Sequence, residues 1–150
     1  MKTLLMSFWP SVYKRISTQD KLIEFRSRYP DEETLVYMYI SKPCKQILGV
    51  VHLGKKIDMA SVDSDSDFYK QACHDGYSEE KNVFGMPVLT FQKVSPVSLE
   101  DLRTNCQGFV APQSYIILDT KPDLKGFIEK HAIPFDDIIK NPIIGGYTND

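Results

Sequence analysis

The run LVYMYI at residues 35–40 carries β-branched or aromatic side chains on both of its alternating faces. Six residues make a poor helix, whereas a strand buried on both faces reads as just such an unbroken apolar run. Ser41-Lys42-Pro43 breaks it, and QILGVVHLGKKI (46–57) follows as a second, longer strand whose Gly49 and Gly54 suit a bulge or a sharp bend. LLMSFW (4–9) is a third strand, MPVLTFQKV (86–94) a fourth and QSYIIL (113–118) a fifth. Short strands at this spacing point to a small barrel or sandwich.

Helical signals flank them. Pro10 opens PSVYKRIST with Val12, Tyr13 and Ile16 on one stripe. DSDSDFYKQACHDG (63–76) begins with cap-forming acids and ends at Gly76, and Ser98 caps a short helix through Arg103. After Pro122, DLKGFIEKHA reads as a helix, and the tail PFDDIIKNPIIGGYTND holds a further helical turn at most before its last residues fray. The class is α+β.

At 150 residues the chain is read as one domain, able to bury about 70% of its unfolded surface without a staple. Cys44, Cys73 and Cys106 are widely spaced and odd in number, which suggests neither a disulfide framework nor a zinc site. A reducing cytoplasm fits them. Residues 1–9 end too soon at Pro10 for a signal peptide, and no apolar run reaches membrane-spanning length. Net charge is −2, but residues 1–58 carry ten Lys/Arg against six Asp/Glu and residues 59–150 eight against fourteen. An anionic ligand is therefore expected at the N-terminal part.

Most familiar chemistries fall away. Asp63-Ser64-Asp65-Ser66-Asp67 starts like a calcium loop, yet Phe68 takes its glycine position and His74 its bidentate glutamate position. Ser11 and Lys14 have SxxK spacing without the rest of that set, and Cys73 and His74 adjoin on a helix, where neighbours diverge. With no Gly-rich phosphate loop and no deaminase zinc signature, neither a cofactor nor a metal is expected.

One charged constellation remains, in KLIEFR (21–26). As a helix it is an ordinary ion-paired surface, with Lys21 and Glu24 three apart and Glu24 and Arg28 four apart. As a strand it places Ile23 and Phe25 on one face and Glu24 and Arg26 together on the other. The extended form offers a carboxylate and a guanidinium to one base edge, with Trp9, Tyr37 or Tyr39 available for stacking. The plainer alternative is an ion pair that satisfies a half-buried barrel end.

Taken in order, LLMSFWPSVYKRI, KLIEFR, VYMYISKPCKQILGVVHLG, FQKVSPVSLEDLR and GFVAPQSYIIL resemble the ASCH family of PUA-like domains over about residues 3–118. KLIEFR stands in place of that family's GKKTxExR-like segment. The resemblance implies a small PUA-like β-barrel with flanking short helices, residues 119–150 being a helical extension of the same domain. It also implies a cleft where Lys21, Glu24 and Arg26 face RNA or a small nucleotide-like ligand, with Ser41 and Lys42 as further candidates. There are two departures. Gln19-Asp20 replace the glycine before Lys21, and Glu24 stands where relatives that hydrolyse an acetylated cytosine nucleoside carry threonine. An amidohydrolase using Lys21 and Glu24 as an acid/base pair is thus the alternative, and a protein-interaction domain a third.

Overall fold

The computed structural model describes residues 1–147, so the expected fraying of the last residues concerns, at positions 148–150, a segment outside the described residues. Strand β1 (Lys2–Phe8) lies parallel to β3 (Thr34–Ile40), with Leu4 beside Val36 and Phe8 beside Ile40. Between them the chain forms α1 (Pro10–Ser17) and β2 (Ile23–Arg26). β4 (Gln46–Leu53) returns antiparallel to β3. After it come the two-residue β5 (Ile57–Asp58), α2 (Asp67–His74) and the fifteen-residue β6 (Phe84–Ser98). Then follow α3 (Leu99–Asn105), β7 (Tyr115–Ile117), α4 (Pro122–His131) and β8 (Pro134–Lys140). The strands join in the order β2-β6-β4-β3-β1-β7, with β5 and β8 also on β6. This mixed sheet curls into a half-barrel with four helices among the described residues, the α+β, PUA-like architecture that the resemblance implies.

β6 carries the curl. Its first residues pair with β2 and β5, residues 88–98 pair with β4, and residues 90–94 also carry β8 on the other side. The β4–β6 register slips between Ile47 and Gly49, the irregularity expected of a bulge. A Cβ on Gly49 would come 2.8 Å from the Phe91 ring, so only glycine lets the strand close on that ring. At Gly54 the expected long strand divides into β4 and β5. There the backbone N–H donates to the Pro87 carbonyl at 2.9 Å, and a Cβ would lie 2.7 Å from the Pro87 ring.

The two apolar faces of LVYMYI are now explained. Val36, Met38 and Ile40 join Leu4, Met6, Phe8 and Ile16 in a core under α1, whereas Tyr37 and Tyr39 face a second core with Leu102, Leu124 and Ile128 of α3 and α4. A third cluster of Ile23, Met59, Phe68, Ala72 and Tyr77 ties α2 to β2. α1, α3 and α4 start where their sequence signals put them, whereas the helix expected over 63–76 begins later, at Asp67. Ser66 Oγ accepts from the Tyr69 N–H and Ser98 Oγ from the Asp101 N–H, and Pro10 and Pro122 occupy first turns.

Two expectations need correction. The strand read over 113–118 is ordered as a strand only over Tyr115–Ile117, and Leu118–Thr120 tightens into a 3-10 turn. The tail read as a helical turn at most contains β8. Its Ile139 aligns with Phe91 and its Lys140 with Thr90, and Asn141 donates from its backbone N–H to the Leu89 carbonyl and from Nδ2 to the Val88 carbonyl. An unpaired edge of β6 supplies hydrogen-bond partners that PFDDIIK does not signal locally. Beyond β8 the chain returns to α2: Gly145 O accepts the Phe68 N–H at 2.8 Å, and Tyr147 stacks on Phe68. No helix is long and apolar enough to cross a membrane among the described residues.

Candidate functional site

β2 is antiparallel to the start of β6, with Glu24 beside Met86 and Arg26 beside Phe84. Alternation turns Ile23 and Phe25 to the α2 cluster and puts Glu24 and Arg26 side by side, with Arg26 Nη2 at 3.3 Å from Glu24 Oε2. The extended form of KLIEFR is the one adopted.

Each member of the pair is held by the backbone around it. Glu24 Oε1 accepts the Phe25 N–H at 3.0 Å, and Arg26 Nη2 also donates to the Ser7 carbonyl at 3.0 Å. The guanidinium carbon lies 5.2 Å from the centre of the Phe8 ring, a cation–π contact. Two strands thereby set Arg26, since Ser7 and Phe8 close β1.

Lys21 sits behind Glu24. Only 4% exposed, its Nζ is 3.7 Å from Glu24 Oε1, 3.4 Å from the Asp75 carbonyl oxygen and 4.8 Å from the centre of the Phe25 ring. Burial pulls its pKa below the usual lysine value, and the nearby Glu24 and Asp75 carboxylates oppose that pull. Asp75, which caps the end of α2, is the residue that sequence reasoning missed. Its Oδ2 accepts the N–H groups of Leu22 and Ile23 at 2.9 Å each, and its Oδ1 accepts from Gln71 Nε2 at 3.0 Å. Burial pushes the Asp75 pKa up, and these hydrogen bonds together with Lys21 work against it.

Glu24 and Arg26 line a cavity of about 580 Å³. Ser7, Tyr39, Ser41 and Gln113 contribute to its walls, and Trp9, 73% exposed, is part of its lining. Ser7 Oγ donates to the Pro112 carbonyl at 2.6 Å and fixes the segment that carries Gln113. Of the five residues singled out in the sequence, then, Glu24, Arg26 and Ser41 meet in this cavity. Lys21 stands behind its wall, and Lys42 is exposed on the turn after β3 outside it. Of the three aromatic residues considered for stacking, Trp9 and Tyr39 are in the lining and Tyr37 is not; Trp9 is exposed, whereas Tyr39 and Tyr37 are both buried in the core with α3 and α4. Ser7 and Gln113 were signalled only by the segments that carry the family resemblance. A cavity of about 610 Å³ at the start of α4 has no buried charged side chain in its wall. No group of three or more metal-ligating side chains is assembled among the described residues.

No family model matches the sequence. An ASCH domain-containing ribonuclease of Zymomonas mobilis is 24% identical over 122 residues, which cover 75% of this chain and 82% of that protein. The crystal structure of ASCH from Zymomonas mobilis superposes with a TM-score of 0.64 at 21% identity, covering 83% of this chain and 94% of that one. Its serine-to-alanine mutant gives 0.66 at 20% identity over 86% and 96%. The chain has the ASCH fold. Within that fold, β2 with its charged pair and the ends of β1 and β3 enclose the cavity just described, and α2 buttresses β2 from behind.

Proposed function

We propose that this ASCH-fold chain binds single-stranded RNA, or a modified nucleoside, by taking one unpaired base into the cavity at Glu24 and Arg26. The observation that carries the reading is a carboxylate and a guanidinium in contact on one cavity wall, with an exposed tryptophan in the same lining. Single-stranded RNA is recognised through splayed bases that stack on aromatic rings and hydrogen-bond along their edges. The pair has capacity left for such an edge. Arg26 Nη2 uses its two hydrogens on Ser7 O and Glu24, which leaves Nε–H and Nη1 as donors; Glu24 Oε1 faces the Phe25 N–H and the Lys21 ammonium, and Oε2 keeps a lone pair beyond its bond from Arg26. The carboxylate suits an exocyclic amine or a ring N–H, and the guanidinium suits a ring carbonyl. The Zymomonas mobilis relative named a ribonuclease makes RNA the first ligand to test.

The amidohydrolase reading draws on one observation, the depressed pKa of Lys21. Its ammonium, however, faces Glu24, the Asp75 carbonyl and the Phe25 ring, and Lys21 is not among the cavity-lining residues. Binding is therefore preferred. The test is fluorescence anisotropy with short labelled single-stranded RNAs. Trp9→Ala should weaken binding by about tenfold, the worth of one base stack, and Glu24→Gln should alter the ranking among base compositions. Equal affinity in wild type and both variants would exclude the cavity as the base site. Release of acetate from an acetylated cytidine by the wild type would favour the amidohydrolase instead.

A further inference from the structure

A second cavity of about 510 Å³ has Arg28, Ser114, Tyr115 and Lys121 in its walls. Two segments of chain run from the first cavity to the second. Gln113 lines the first and Ser114 the second, while Arg26 and Arg28, two residues apart past the end of β2, do the same on the other side. The second cavity brings together two cations from segments far apart in sequence, Arg28 after β2 and Lys121 before α4. Arg28 and Lys121 are both exposed, and neither has a carboxylate within ion-pair distance among the described residues. Asp119, close by in sequence, is taken up by Lys125 Nζ at 2.7 Å and by the Thr3 N–H at 2.8 Å. Lys121 also lines the cavity at the start of α4, where Asp123 is a fellow wall residue with which it forms no ion pair.

We infer that Arg28 and Lys121 form a phosphate subsite, which takes the phosphodiester next to the nucleotide whose base occupies the first cavity. The inference rests on the base-binding reading and narrows its ligand from a free nucleoside to a strand. A guanidinium offers a planar fork to two phosphate oxygens and an ammonium a movable point charge, so the two complement each other on one anion. The Ser114 and Tyr115 hydroxyls add neutral donors in the same wall. A free nucleoside leaves these groups to water. An oligonucleotide engages them and releases counterions from its backbone.

The test uses the full chain and a short labelled single-stranded RNA of mixed sequence, titrated between about 50 and 200 mM salt. Arg28→Ala with Lys121→Ala should lower affinity by about tenfold and reduce the slope of log affinity against log salt by about 0.7 to 1.4, one or two phosphates' worth. Binding of unlabelled nucleosides should stay as in wild type, and Arg28→Lys with Lys121→Arg should restore most of the slope. Unchanged affinity and slope in the double alanine variant, alongside the weakened binding expected of Trp9→Ala, would overturn the subsite and leave the base site standing. No RNA binding by the wild type would remove both. Displacement of the RNA by low-millimolar inorganic phosphate would assign the cations to a free anion and overturn the strand reading.

Discussion

Lys21 shows how far burial changes the meaning of a charge. In the sequence it belongs with Glu24 and Arg26 as a ligand contact, but in the fold it is a buried cation facing Glu24 and Asp75. Lys21→Arg, which keeps the charge, must then fit a bulkier group between the Phe25 ring and Asp75. It should destabilise by about 1–3 kcal/mol in denaturant unfolding, and a variant as stable as wild type would show that the ammonium is not confined. Asp75 gives a pH prediction. Its folded pKa is raised, so its contribution is fully present below the ordinary aspartate value and declines as pH rises through the raised one. Asp20, held low first by its hydrogen bond from Arg15, and Asp119, held low by Lys125, act in the opposite direction. Asp75→Asn removes only the first dependence. Its unfolding free energy relative to wild type should therefore rise with pH across the acid range, and a flat or falling difference would refute the assignment.

Among the elements, β3 and β8 are opposites. β3 lies between β1 and β4 with a core on each face, whereas β8 hangs on β6 with nearly all its side chains exposed. Native-state hydrogen exchange should follow that difference, with β3 amides protected close to the global limit and β8 amides opening earlier, read by mass spectrometry of peptides covering each strand. Equal protection would mean that β8 is part of the cooperative core. The same contrast explains what could be read in advance. LVYMYI states its burial on both faces, and Ser98 states its helix start. PFDDIIK, exposed on both faces, has no alternation to declare, and its strand form comes from the open edge of β6. QSYIIL was read too long because Ile117 and Leu118 are apolar whether the chain stays extended or tightens into a 3-10 turn.

For the molecule as a whole, hydrophobic run length and breakers are local properties, and they determined the strand-rich α+β class, the short helices and the extended form of KLIEFR once the resemblance to ASCH domains was included. The half-barrel follows from the same runs, since a strand apolar on both faces requires a layer on each side. Tertiary structure alone decided which charges share a space. Asp75 reaches Leu22 and Ile23 across more than fifty residues, and Lys121 joins Arg28 across more than ninety. The excess of positive charge in the first 58 residues pointed to the N-terminal part of the chain as a whole, and Lys121 lies in the acidic remainder. Lys42 stayed outside the cavity although Ser41 lines it, because consecutive side chains at the end of a strand leave in different directions. Spacing along a chain carries the period of its elements, and it carries nothing about the partner that a distant turn will bring.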